Sequence, residues 1–96
     1  MLGSAQATLN ELHMVRDALY AIPNVEQAFA VSNADSLSVL VVVPDKNPIV
    51  QDQIIDVEGD VIQAFPSLDV DFDVVFRCNR DLLDIVSPKG VRLFAR

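Results

Sequence analysis

The sequence predicts one α/β domain (α+β type) in which helices pack on a β-sheet, with the element order α-β-β-α-β-α-β. Three observations support this prediction: apolar residues recur at helical spacing in two segments, they alternate with other residues in several more, and prolines and polar corners separate these segments. A chain of 96 residues suffices for one hydrophobic core, so we expect a single domain over residues 1–96.

Two amphipathic helices are predicted. Thr8 and Glu11 have capping-box spacing, and Pro23 ends the apolar stripe that follows them, which consists of Leu9, Leu12, Val15, Leu19 and Ile22. Asn47 and Pro48 are favourable starting residues for a second helix, with the stripe Val50, Ile54, Val57, Val61 and Phe65. Gly59 inside this helix costs about 1 kcal/mol relative to alanine.

Strands are predicted where apolar residues alternate or cluster with β-branched side chains. Val25 to Val31 and Leu37 to Val43 flank the polar corner SNADS and should pair antiparallel. The second of them carries apolar residues on both faces, which predicts a central strand. Val70 to Phe76 is a third strand with Asp71 and Asp73 on one face. After Asn79, RDLLDIV predicts a short helix and VRLFA a final strand.

The charge distribution limits the classes of partner. The formal net charge is −7, which argues against nucleic acid as a main partner because phosphate backbones require clustered basic residues. Residues 1–73 hold twelve acids and two bases, whereas residues 77–96 hold five bases and two acids. The simplest explanation is that the basic tail packs beside the acidic body.

Other features of the composition bear on location and covalent chemistry. No apolar run approaches the roughly 20 residues that span a bilayer, and the first residues lack the pattern of a secretory signal, so we expect a cytoplasmic protein with no membrane partner. Cys78 is the only cysteine, which excludes an internal disulfide and a cysteine-rich zinc site.

Three local sequences suggest a family. AFAVSNADSLSVLVVVPD leads from a first strand through a corner into a second, FDVVF lies on the third, and SPKGVRLFAR closes the chain. Together with the element order, they resemble the minimal nucleotidyltransferase domain of the DNA polymerase beta superfamily, in its small stand-alone form. The resemblance covers nearly the whole chain and implies a mixed β-sheet with helices packed on it.

The resemblance also implies where a catalytic site would lie. The family binds two divalent ions with an Asp-x-Asp pair on the second strand and a third acid on the next strand. Matching Asp35 and Ser36 to the Asp-Ser that opens this motif places the paired acids at Leu37 and Val39, which cannot bind a metal. The third acid is best matched by Asp73.

What remains of the implied site is a vestigial set of polar residues. In the family a Gly-Ser turn holds nucleotide phosphates; here Val31 replaces the glycine and Ser32 remains. The vestigial set is Ser32, Asp35, Ser36, Asp71 and Asp73. The resemblance therefore implies a catalytically inactive domain that acts as a binding or protein-interaction module, with a helical protein or a second copy as partner and with no metal or cofactor.

Two alternatives remain open at the level of sequence. Asp35, Asp71 and Asp73 would form a rearranged site if the chain were an active, Mg²⁺-dependent nucleotidyltransferase. The core order α-β-β-α-β is also similar to ferredoxin-like regulatory or dimerisation modules, for which the final segment is extra. A monomer in sedimentation, together with a mixed sheet containing one parallel pair of neighbours, would count against the ferredoxin-like alternative.

The basic tail supplies the candidate anion-binding residues, and its last strand supplies an edge. The cationic candidates are Arg77, Arg80, Lys89 and Arg92, although they are spread over several elements. The predicted final strand, Val91 to Ala95, offers an edge through which two copies could pair.

Overall fold

A computed structural model describes residues 9–84 and 90–96 and confirms the predicted α+β class. The described elements are, in order, α1 (Leu9–Tyr20), β1 (Gln27–Ser32), β2 (Ser36–Val43), α2 (Pro48–Ala64), β3 (Asp69–Phe76), a 3₁₀ turn (Leu82–Asp84) and β4 (Val91–Ala95). Neither helix in these two stretches is long and apolar enough to cross a lipid bilayer.

The four strands form one mixed sheet in the order β3-β2-β1-β4. β1 pairs antiparallel with both β2 and β4, whereas β2 and β3 are parallel neighbours joined through α2. A parallel pair of neighbours is one of the two observations that together would count against the ferredoxin-like alternative, the other being a monomer in sedimentation. Both helices share a hydrophobic core with one face of the sheet, so they lie on the same side of it.

β2 is a central strand, as its sequence predicts. Four alternating residues point into the helix-covered core and are at most 2% exposed: Leu37, Val39, Val41 and Val43. Ala28 and Ala30 of β1 lie beside them on the same face. Small residues on β1 and larger ones on β2 thus form the floor on which α1 and α2 pack.

The start of α2 follows the local chemistry of its sequence. The side-chain Oδ1 of Asn47 accepts hydrogen bonds from the backbone N–H groups of Ile49 (3.0 Å) and Val50 (3.4 Å). Pro48 occupies the first turn, where a missing N–H is tolerated. The helix then buries Val50, Ile54, Val57 and Val61, four of the five stripe residues predicted, and leaves Phe65 half-buried at its end.

Contacts at both ends of β4 fix this strand against the rest of the fold. Gly90 precedes it with φ +82°, and a Cβ there would lie 2.0 Å from the carbonyl oxygen of Ala30, so only glycine fits. After the strand, the Arg96 guanidinium donates hydrogen bonds to the carbonyl oxygens of Val25 (2.7 Å), Ile22 (3.2 Å) and Tyr20. It therefore satisfies carbonyl groups where α1 ends.

A bidentate ion pair joins the start of β1 to the end of β3. The Arg77 guanidinium donates from Nε to Glu26 Oε1 (2.7 Å) and from Nη2 to Glu26 Oε2 (3.1 Å), and both side chains are about 70% buried, being 28% and 29% exposed. These hydrogen bonds hold the pKa of Glu26 below its usual value, against the opposing effect of partial burial.

The short helix predicted after Asn79 is replaced, in its described part, by a turn. Cys78 and Asn79 have positive φ values of 53° and 65°, and the N–H of Arg80 donates to the carbonyl of Arg77 (3.0 Å). A helix cap requires extended backbone, so left-handed Asn79 cannot serve as one. Only the 3₁₀ turn Leu82–Asp84 follows; the rest of the predicted helix lies outside the described residues.

Gly59→Ala is expected to raise the free energy of unfolding by about 0.5–1 kcal/mol, because alanine removes the entropic cost of glycine in a helix. An added Cβ meets no atom within 4 Å. Urea denaturation followed by circular dichroism measures the change. Gly90→Ala is the matched control and should destabilise the protein. A loss of stability in Gly59→Ala would contradict the exposed position of Gly59.

Glu26→Gln is expected to destabilise the fold near neutral pH. Since the folded-state pKa of Glu26 is depressed, its stabilisation is present above the unfolded-state pKa of about 4.3 and is lost as pH falls through the folded-state pKa. Thermal unfolding of the wild type and the variant should therefore differ at pH 7 and converge at acidic pH. Asp17→Asn removes the exposed pair with Arg16 and should change little. An equal difference at both pH values would contradict this account.

Candidate functional site

The face of the sheet opposite α1 and α2, called here the open face, is the most structured candidate site among the described residues. It holds a shallow depression of about 220 Å³. Side chains that alternate with the core residues line this depression: Phe29, Val31, Ser38, Leu40, Asp71 and Asp73. All of them come from β1, β2 and β3, so backbone hydrogen bonds fix the spacing of the site.

The register of the strands arranges the open face in rows. Arg92 of β4 pairs with Phe29 of β1, Phe29 with Leu40 of β2, and Leu40 with Asp73 of β3. The neighbouring row runs through Val31, Ser38 and Asp71. The open face is therefore apolar in the middle and carries carboxylates on the β3 edge.

These rows favour binding over catalysis. Phe29, Val31 and Leu40 are only partly buried although they lie on the two central strands, so the middle of the depression is accessible apolar surface. Asp71 and Asp73 are exposed beside it. Such a surface suits an apolar side chain flanked by a cationic group, because the first covers the floor and the second meets the carboxylates.

The structure corrects the positions at which the family's paired acids were placed. Leu37 and Val39 are 0% and 1% exposed and point towards the helices, whereas Asp71 and Asp73 lie on the open face. Residues that share one metal must share one face of the sheet. Leu37 and Val39 are therefore core residues and cannot be the replaced ligands of a site that includes either aspartate.

The positions on β2 that do share a face with the aspartates are Ser36, Ser38, Leu40 and Val42. In the parallel register Ser36 is the partner of Asp69, Ser38 of Asp71 and Leu40 of Asp73. Val42 pairs with Val75 and is fully buried, so this end of the face is not accessible. Asp69 and Asp71, rather than Asp73, are thus the acids beside the two serines.

Two members of the vestigial set lie away from this group. Alternation along β1 places Ser32, the partner of Leu37, on the helix-covered side. Asp35 is exposed in the β1–β2 turn, and its backbone carbonyl accepts a hydrogen bond from the N–H of Asp69 (2.8 Å). Asp35 is therefore a turn residue, one that also joins the hairpin to the start of β3.

The residues present do not fit the two-metal site that the family implies. Across residues 9–84 and 90–96, no three His, Cys, Asp or Glu side chains are grouped so that they could hold a metal ion. The open-face residues of β2 beside the aspartates are two serines and a leucine, which offer no carboxylate to a divalent cation.

The cationic candidates do not converge on one site. Arg77 is engaged by Glu26, and its Nη1 also donates to the carbonyl of Arg80 (3.1 Å). The concavity around it contains Asp81 as well as Glu26, so acids offset its positive charge. Arg92 lies on β4, three strands from β3, where it lines a separate concavity with Leu12, His13 and Arg16 of α1. Lys89 lies outside the described residues.

The sequence patterns do not predict two of the side-chain contacts. One is the binding of Arg96 to carbonyl groups at the end of α1. In the other, Glu58 of α2 accepts a hydrogen bond at Oε2 from the backbone N–H of Phe72 on β3 (3.0 Å). Glu58 and Phe72 are 14 residues apart in the chain. Helical spacing identifies Glu58 only as a residue beside the buried stripe, so the sequence carries no signal for its partner.

Comparison of the chain with protein-family models, curated proteins and solved structures finds no match in any of the three. The likeness to minimal nucleotidyltransferases therefore rests on the sequence motifs and element order given above. Function has to be argued from the open face and the edges of the sheet.

Proposed function

We propose that this chain is a catalytically inactive nucleotidyltransferase-like domain that acts as a protein-interaction module. The observation that carries the proposal is the set of β2 residues beside the three aspartates of β3: Ser36 beside Asp69, Ser38 beside Asp71 and Leu40 beside Asp73, none of which is a carboxylate. Because β2 contributes no carboxylate beside the acids of β3, and no three acids of the described residues are grouped so that they could hold a metal ion, we expect the domain to be unable to place two Mg²⁺ ions against a triphosphate.

The depression on the open face supports a binding role. Its floor is apolar and partly exposed, and a partner that covers Phe29, Val31 and Leu40 removes this area from water. The carboxylates of Asp71 and Asp73 at its border favour partners that carry positive charge. A helical protein whose apolar stripe is flanked by basic residues meets both requirements.

Nucleotide-transfer assays with Mg²⁺ or Mn²⁺ and each of the four triphosphates are expected to show no turnover. The reason is the missing carboxylate pair on β2. The contradicting outcome is turnover that disappears in the Asp71→Asn/Asp73→Asn double variant, since that result would assign catalysis to the open face. Turnover that persists in the double variant would come from another source, such as a contaminating enzyme.

Restoring acids at the open-face positions is expected to create metal binding. In Ser36→Asp/Ser38→Asp the two new carboxylates lie on one face of β2, with Asp69 adjacent to the first and Asp71 to the second. Four carboxylates grouped in this way should bind Mn²⁺ weakly, with a Kd of about 10⁻³ to 10⁻⁴ M, whereas the wild type should not. Titration calorimetry measures the difference, and adding Asp71→Asn should weaken it.

The matched control moves the same two carboxylates by one residue. Leu37→Asp/Val39→Asp buries them in the core, where unpaired charges cost about 3 kcal/mol or more of stability. This variant should therefore lose its cooperative thermal transition. Metal binding by a folded Leu37→Asp/Val39→Asp protein, and none by Ser36→Asp/Ser38→Asp, would reverse the assignment of faces.

A further inference from the structure

We propose that the outer edge of β3 is a strand-addition site for an extended segment of a partner protein in which apolar and basic residues alternate. The occupied surface would be the free side of an edge strand, not the open-face depression. The edge shares Asp71 and Asp73 with the border of the depression, so slower exchange of the outward N–H groups of β3 is the readout that distinguishes the two surfaces. The inference does not depend on whether catalysis is absent.

The backbone of β3 supplies the first argument. Within residues 9–84 and 90–96, β3 pairs with β2 on one side and with no strand on the other. The N–H groups of Asp69 and Arg77 donate towards β2 and the residues after it, to the carbonyls of Asp35 and Val43 (both 2.8 Å). By alternation, the N–H groups that point outwards are those of Val70, Phe72, Val74 and Phe76.

The contact of Glu58 with this edge indicates that the outward N–H groups of β3 need a hydrogen-bond acceptor. Its carboxylate binds the outward N–H of Phe72, which is the position that the carbonyl of an added strand would occupy. A flexible side chain from α2 therefore satisfies one donor of the edge. Displacing it from Phe72 leaves the Glu58 carboxylate free to turn into water.

The helix-covered side of the edge offers apolar surface to a partner. The four apolar residues of β3 that face the core side are only partly buried, whereas their β2 counterparts are at most 2% exposed. Ile55 and Ile62 are 60% and 45% exposed, and they lie three residues before and four after Glu58, on the same flank of α2. Apolar residues of an added strand would pack under this flank.

The open-face side of the edge supplies the charge requirement. Asp69, Asp71 and Asp73 alternate along β3 and are all exposed. Opposite charges at neighbouring cross-strand positions stabilise a sheet, and like charges destabilise it. An added strand should therefore carry Lys or Arg at every second residue. For the same reason, two copies of this chain would not pair through their β3 edges.

The probe for this site is a blocked eight-residue peptide of alternating lysine and valine, with a glutamate–valine peptide as control. Hydrogen exchange followed by NMR should show slower exchange of the Val70, Phe72 and Val74 amides with the lysine peptide only. Absence of this protection, or protection confined to the β4 edge, would overturn the proposal. Equal protection by the glutamate peptide would also overturn it, because the aspartates would then have no role.

Charge variants test the same site without altering the core. Asp71→Asn/Asp73→Asn should weaken lysine-peptide binding by about 3- to 10-fold and reduce its salt dependence. The matched control Asp52→Asn/Asp56→Asn removes two charges from an exposed part of α2 and should leave affinity nearly unchanged. Equal weakening in both pairs would indicate attraction by net charge alone and would overturn the site.

Glu58→Ala tests the role of the edge acceptor. Because it frees the Phe72 N–H, this variant should bind the lysine peptide more tightly than the wild type. Weaker binding would contradict the inference that Glu58 occupies the place of an incoming carbonyl. Thermal melting of each variant checks that the fold is retained.

Discussion

The alternation of side chains along β2 is the constraint on which both the core and the open face depend. β2 has a strand on each side and helices over one face. Whether a residue of β2 faces the helices or the open face therefore depends on its place in the alternating pattern. Leu37, Val39, Val41 and Val43 enter the core, and Ser36, Ser38 and Leu40 enter the open face. A slip of one residue would bury the two serines and expose four aliphatic side chains, which fixes the register strongly.

The same constraint decides how a sequence motif can be interpreted. A match by residue type puts the missing acids at Leu37 and Val39, yet these residues face away from the acids of β3. The crossover through α2 makes β2 and β3 parallel neighbours, and their register places Ser38 beside Asp71. The chemistry of the candidate site is therefore defined by a pairing between residues 33 positions apart in the chain, and not by the local motif.

Much of the fold follows from local patterns, and the site follows from them only in part. Periodicity predicts both helices, all four strands, the β1–β2 hairpin and the central position of β2, because each depends on burial of one face. The turn that replaces the helix predicted after Asn79, and the long-range side-chain contacts, depend on other information. Asn79 adopts a left-handed conformation within a tight turn that propensity does not indicate, and contacts such as Glu26 with Arg77 join residues 51 apart.

These contacts explain part of the separation between the acidic body and the basic tail of the sequence. Two of the five tail cations serve the fold, since Arg77 pairs with Glu26 and Arg96 binds carbonyl groups where α1 ends. Packing of the basic tail against the body thus explains these two. Arg92 lines a concavity with residues of α1, and in the register of the sheet it lies three strands from Asp73.

Three strand spacings amount to about 14 Å, which exceeds the Debye length of about 8 Å at physiological ionic strength. Arg92 and Asp73 therefore do not compensate each other across the sheet. The carboxylates of β3 present their charge to solvent at the very edge where outward N–H groups and exposed isoleucines of α2 also lie. These three features lie together. A partner strand that pairs with the outward N–H groups therefore also brings its basic residues to the carboxylates and its apolar residues to the isoleucines.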